Sequence, residues 1–162
     1  LWVAGEASCN GVMGANRLAS NSLLDGMVFG PRVVEAIDRG VDGPRATGAM
    51  RSLLGGGHIG GRPLEVAPPD GNPVPPREEL QRTMTANAGV LRSAASLSLA
   101  AAACAGEVVG DDLASWELRN LATVGRVLCA GALAREESRG AHTRTDFPAE
   151  RDDLRLRFVV GG

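Results

Sequence analysis

Seven of the nine prolines in this 162-residue chain fall between Gly40 and Pro76, alongside Gly55-Gly56-Gly57, Gly60-Gly61 and Pro68-Pro69. Proline removes a backbone donor and glycine raises the entropy lost on ordering, so no helix or strand of ordinary length holds across this window. The chain therefore reads as two structured parts separated by a linker. Residues 1–40 form the first part and 41–76 the Gly/Pro-rich linker. A mainly helical part spans 77–150, and 151–162 is a tail with a short strand. That pattern predicts an α+β fragment rather than one continuous fold. His58, within Gly-Gly-Gly-His-Ile-Gly-Gly, reads as linker, because no strand-to-helix context accompanies it as a phosphate loop requires.

In the first part, Leu1-Trp2-Val3-Ala4 is a short apolar run ending at Gly5-Glu6. It predicts a buried strand that delivers an acid to its carboxyl end, the edge of open α/β sheets where ligands bind. Gly11 and Gly14 allow close backbone approach. Asn21 or Ser22 is the expected N-cap of a helix running to about Ile37, with Leu23, Leu24, Met27, Val28, Val34 and Ile37 on its apolar side. Pro31 predicts a kink or a local break. The helix start would present unpaired N–H groups and about half a positive charge, a surface suited to an anionic group.

Beyond Pro76 the pattern turns helical. Glu78 and Glu79 suit a first turn, and Leu80, Met84 and Ala88 recur at helical spacing until Gly89 loosens the helix. Ser93 restarts it, with Ala94, Leu97 and Ala101 on one face and Gly106 at its end. Asp111-Asp112 open a longer helix carrying Leu118, Leu121, Val124, Leu128 and Ala132. Three such helices with short connections predict an antiparallel bundle. Arg139 and Gly140 read as a helix C-terminus with an αL cap. His142 reads equally as a structural hydrogen-bonding group or as a near-site residue. The run Leu154-Arg155-Leu156-Arg157-Phe158 alternates with a period of two and predicts a half-exposed terminal strand.

The formal net charge is −2, all 17 basic residues are arginine, and no basic-aromatic stripe is present, which speaks against nucleic-acid binding. Cys9, Cys104 and Cys129 lack C-x-x-C spacing. That argues against a metal site or a disulfide framework and for a reducing, cytoplasmic setting. Cys9 reads as a small packing residue. The longest apolar run, Leu97 to Ala105, is far short of the ~20 residues of a membrane helix.

The segment Gly14-Ala15-Asn16-Arg17-Leu18-Ala19-Ser20-Asn21-Ser22-Leu23-Leu24 closely resembles the one that precedes the last FAD-domain helix of L-aspartate oxidases. These belong to the superfamily of fumarate reductase and succinate dehydrogenase flavoproteins. In that superfamily the reductases and dehydrogenases usually carry Gly-Gly where this chain has Ala19-Ser20. Further matches are Asn87-Ala-Gly-Val-Leu-Arg92, Glu117-Leu-Arg-Asn-Leu121 and Glu137-Ser-Arg-Gly-Ala-His142, then Arg144, Asp146, Phe147 and Pro148. The resemblance makes residues 1–40 the last strand and helix of an FAD-binding α/β domain, and 77–150 the helical C-terminal domain.

The resemblance implies an FAD-dependent oxidation of L-aspartate to iminoaspartate for quinolinate and NAD synthesis. Electrons would return to oxygen or fumarate, and quinolinate synthase would be a partner. It implies Ser22 and the Leu23 backbone at the flavin and Glu6 on its ribityl chain. Arg17 lies inside the motif, and its planar fork can hold a substrate carboxylate through two parallel hydrogen bonds. Met13 stands where the family usually has histidine. A G-x-G-x-x-G turn between a first strand and a helix is nowhere in the chain, the spacing at Gly55, Gly57 and Gly60 falling in the linker, so the catalytic residues and the rest of the flavin site are expected upstream, with this chain the C-terminal portion of a larger enzyme. The competing expectations are a soluble fumarate reductase or succinate dehydrogenase flavoprotein, and a helical interaction module without catalysis.

Overall fold

A computed structural model describes residues 2–8, 19–42 and 61–160. It comprises four helices and a few short strands, an α+β fragment, and divides into two units, Leu1–Gly61 and Arg62–Gly162.

In the first unit, helix α1 spans Asn21–Asp38. Its cap is Ser20, neither Asn21 nor Ser22 as expected, and Ser20 adopts a left-handed conformation (φ 67°) with no capping bond from its side chain. The helix runs through Pro31 without the expected break, although Pro31 offers no N–H to the preceding turn. At the other end Gly40 (φ +66°) donates to the Ile37 carbonyl, and Val41 N–H to that of Ala36. These two bonds are a Schellman motif, and the positive φ is what glycine supplies there. The apolar residues expected to face a core are exposed in this chain, Met27 at 72% and Leu23 at 69%.

The expected strand at Leu1–Ala4 does not form among the described residues: 2–4 are irregular and lead into a 3-10 turn, Glu6–Ser8. A strand needs a neighbour for its N–H and C=O groups, and no described residue offers one here. The turn is held by Ser8, whose N–H and Oγ both donate to the Gly5 carbonyl at 3.0 and 2.7 Å. Gly5 (φ +77°) is buried against α1, where a Cβ would lie 3.7 Å from the Cα of Gly26.

Strand β1 (Gly61–Pro63) pairs with β4 (Arg157–Val159). The strand expected over 154–158 therefore starts later, because Asp152–Leu154 forms a 3-10 turn that buries Leu154. Residues 64–76 form no regular element apart from a single bridge, Pro73 to Glu107. They are fastened through Asp70 N–H to the Ala105 carbonyl, Val74 N–H to Glu107 and Glu107 N–H to Asn72. Helices α2 (Arg77–Asn87), α3 (Ala94–Cys104) and α4 (Leu113–Ala134) pack on one another. Between α2 and α3, strand β2 (Leu91–Arg92) pairs in parallel with β3 (Thr143–Arg144), Arg92 opposite Arg144.

The start of α3 is fixed by a full capping box, Ser93 and Ser96 exchanging side-chain bonds with each other's N–H. Asp112 caps α4 through the Ser115 N–H. The α2 face is the expected one, with Leu80 and Ala88 buried and Met84 packed beside them. On α4 the buried seam is Ala122, Gly125, Cys129 and Ala132, whereas Val124 and Leu128 stay exposed. The expected face was thus displaced: α3 approaches so closely that only small side chains fit. A Cβ on Gly125 would collide with the Cys104 sulfur. Gly106 is no αL cap either. The cap is Ala105 in a helical conformation, and a Cβ on Gly106 would meet the Asn72 oxygen at 2.6 Å and Val74 N at 2.7 Å.

Candidate functional site

The expected flavin and substrate residues belong to the first unit. The packing of Gly5 on Gly26 sets the Glu6 turn beside α1, one turn beyond Ser22 and Leu23. Glu6 is exposed, Ser22 is half-buried and Leu23 is exposed. The Leu23 N–H donates to the Ser20 carbonyl at 3.0 Å. By helix geometry the N–H groups of Asn21 and Ser22 are those with no intrahelical acceptor. They follow directly on Ser20, which among the described residues is the non-glycine with positive φ. That conformation costs a non-glycine residue about 1–2 kcal/mol, and such outliers gather where a backbone must aim its N–H groups. Asp25 is buried one turn further on. Arg17, Met13, Cys9, Gly11 and Gly14, and His58 in the linker, lie outside the described residues.

The second unit holds a lattice of arginines and carboxylates after α4. Glu137 is fully buried and accepts from Arg135 Nη1 (2.6 Å), from Arg139 Nε and Nη2 (3.0 and 2.9 Å) and from the Arg151 N–H (2.8 Å). The Arg139 guanidinium above all, then the Arg151 N–H and Arg135, lower its pKa to about 2 against the cost of burial. Arg139 therefore does not cap a helix; α4 ends at Ala134, and Arg139 also reaches Glu150 and the Arg151 carbonyl. Gly140 (φ +60°) serves the two-residue turn in which Arg139 and His142 exchange backbone bonds. Positive φ at the first central position is the type II′ pattern.

His142 is a structural group. Its Nε2 lies 3.0 Å from the Arg135 carbonyl, which can only accept, so Nε2 carries the hydrogen. Nδ1 then accepts from Arg92 Nη1 at 3.1 Å. Burial first, with Arg92, Arg144 and Arg135 close by, lowers its pKa and keeps it neutral. Arg144, 1% exposed, grips Asp146 through Nε and Nη2 at 2.8 and 2.9 Å and caps α4 through Nη1 on the Ala132 carbonyl. Its guanidinium holds the Asp146 carboxyl far below the usual range, and Asp146 in turn accepts the Ala94 N–H at the start of α3. This arrangement fixes backbone and leaves no acid or base poised to move a proton. In the sequence Glu137 marks only the start of a matching segment and carries no assigned role, although an acid flanked by Arg135 and Arg139 was the available signal.

Comparison with known proteins places this geometry. A family model described as "Fumarate reductase flavoprotein C-term" matches residues 108–159, the part that carries the lattice. A relative from Rhodospirillum rubrum named L-aspartate oxidase is 40% identical over 92% of this chain and 50% of its own length. Over nearly its whole length the chain is similar to L-aspartate oxidases. The relative so named in Streptomyces coelicolor is 38% identical over 99% of the chain and 29% of its own length. The chain thus spans about half the length of one of these relatives and under a third of the other. Among solved structures, the Mycobacterium smegmatis Sdh1 complex in the apo form aligns with a TM-score of 0.58 and 32% identity, over 96% of this chain and 29% of that one.

Proposed function

We propose that the protein containing this chain is an FAD-dependent L-aspartate oxidase that converts L-aspartate to iminoaspartate in the supply of quinolinate for NAD. The observation that carries this is 35–40% identity to L-aspartate oxidases across nearly the whole chain. The stretch so covered includes the Arg17 motif, whose Ala19-Ser20 resembles the aspartate oxidase version. FAD would be the hydride acceptor, with oxygen or fumarate as the final acceptor. The residues present fit an anionic flavin edge: Ser20 turns the chain so that α1 begins with N–H groups at Asn21 and Ser22 that the helix itself does not satisfy. Ser22 and the Leu23 backbone would hold the flavin ring and Glu6 the ribityl chain, while Arg17 would orient a substrate carboxylate. A cytoplasmic setting accords with the described helices, none of which is long and apolar enough to cross a membrane. Quinolinate synthase gains no support from the comparisons and is not part of the proposal.

The test is Arg17→Lys in the full-length enzyme. Lysine keeps the charge but not the bidentate fork, so kcat/KM for aspartate should fall roughly ten- to a thousandfold with FAD retained. Loss of FAD with normal turnover by the remaining holoenzyme would make Arg17 a cofactor residue instead. A second reading, a succinate dehydrogenase or fumarate reductase flavoprotein, is favoured by the family model over 108–159 and by the likeness to Sdh1.

A further inference from the structure

Each helix of the second unit's bundle sends one sulfur to a common point. Met84 comes from α2, Cys104 from α3 and Cys129 from α4. Both cysteines are fully buried free thiols. The Cys104 Sγ lies 3.4 Å from the Met84 Sδ, and the Cys129 thiol is its other hydrogen-bonding neighbour. Gly125 lets them meet: a Cβ there would collide with the Cys104 sulfur and would touch the Met84 Cε at 3.7 Å. The cysteines are far apart in sequence, so no ligand spacing announces the cluster.

The charges around these sulfurs are positive. Arg126 acts through space on Cys104, and Arg92 on Cys129. Arg92 is engaged with the Gly89 carbonyl and His142, whereas Nε and Nη1 of Arg126 are buried without a hydrogen-bond partner. A buried cation of that kind is costly unless an opposite charge stands near. Two neutral thiols supply none. Two thiolates on one monovalent metal ion leave a single net negative charge beside it.

Soft thiolate and thioether donors select Cu(I). Structural zinc takes four ligands, and the cluster offers three. A metal–sulfur bond of roughly 2.3 Å sets three sulfurs around one ion roughly 4 Å apart. Met84 and Cys104 therefore need to part by only about half an ångström from their 3.4 Å separation. The unbranched side chain of Met84 can make that adjustment and, being only half-buried, it gives the ion a way in.

We propose that Met84, Cys104 and Cys129 form a binding site for one Cu(I) ion inside the helical core. The ion displaces the two thiol protons to solvent and is held by two thiolates and one thioether. No electron is transferred, and the remaining negative charge offsets Arg126. The site is separate from the residues assigned to flavin and aspartate and does not rest on that assignment.

The test titrates the full 162-residue chain, carrying Cys9→Ser, with Cu(I) in anaerobic ascorbate against a chromogenic Cu(I) chelator. One equivalent should be retained, and loading should raise Tm by at least about 4 °C. Cys104→Ala and Cys129→Ala put alanine into a seam that already uses it, and each should weaken retention at least about a hundredfold. Met84→Leu conserves volume, so it should fold as the parent does yet hold Cu(I) at least about tenfold more weakly. X-ray absorption of the loaded parent should show copper with sulfur neighbours alone. No retention by the parent, retention undiminished by either cysteine variant, or a Met84→Leu chain that binds as the parent does would each overturn the proposal. Nitrogen or oxygen neighbours at the copper, or Zn(II) displacing it at equal concentration, would overturn it too.

Discussion

Glu137 is where single residues decide the most in the second unit. It is fully buried and neutralises parts of Arg135 and Arg139, and its acceptor bond from Arg151 holds the chain after Glu150. Replacing it by glutamine removes the charge and leaves the two guanidinium groups facing an amide. Those arginines keep some contact with water, so Glu137→Gln should cost about 2–4 kcal/mol, at or below the usual loss for breaking a buried pair. Thermal melts give the value. Its pH dependence has a definite sign. The folded value is about 2 and the ordinary one 4.5, so the contribution is complete above about 4.5 and is lost as pH falls toward 2. His142 adds an earlier window: its pKa is lowered on folding, so stability declines as pH drops below its ordinary 6.5 and the unfolded chain takes up the proton. Melts from pH 8 to 3 should fall in both windows. Glu137→Gln should shrink the lower window, to which the lowered Asp146 carboxyl also contributes, and leave the upper one.

Elements in this chain are set by small residues at contacts. Gly106 is buried at the point where the 70–74 segment crosses the end of α3, and the atoms a methyl would meet are backbone. Backbone cannot step aside as a flexible side chain can, so Gly106→Ala should destabilise by about 1–3 kcal/mol. The same variant should deprotect the Asp70, Val74 and Glu107 amides to hydrogen exchange; normal protection would refute this account of the strap. The starts of α3 and α4 were legible in the sequence, because Ser93 and Asp112 are capping residues followed at the third position by Ser96 and Ser115, whereas the α1 cap fell at Ser20. The buried face of α4 was not. Hydropathy weights Val124 and Leu128 above Ala122, Gly125 and Cys129, yet the approach distance of α3 selects the small ones. Gly140 misled for a related reason: positive φ serves a turn as well as a helix end, and its neighbours in sequence do not distinguish the two. The acid–arginine lattice depends on pairings such as Arg151 with Glu136, fifteen residues apart, which no local pattern announces.

At the scale of the whole molecule, α1 exposes Leu24, Met27, Val28, Val34 and Ile37, and residues 2–4 have no strand partner among the described residues. A helix with its apolar side in water gains little stability from packing. The proposed flavin contacts come from two short segments, and the sequence places no G-x-G-x-x-G turn between a first strand and a helix. These residues alone should therefore purify without FAD, which an absorbance spectrum checks; a stoichiometric flavin would show that the adenine and pyrophosphate site is not needed. The second unit, with its own buried core, should melt cooperatively in the same preparation.

The central claim is that Arg17-Leu-Ala-Ser-Asn-Ser-Leu belongs to an enzyme that oxidises aspartate rather than succinate. Turnover of the full-length holoenzyme with L-aspartate and with succinate, under oxygen and with fumarate as acceptor, tests it most directly. Bound FAD should be reduced by L-aspartate with release of iminoaspartate, and hardly at all by succinate. Rapid reduction by succinate with none by L-aspartate would contradict it and place the chain among the dehydrogenases.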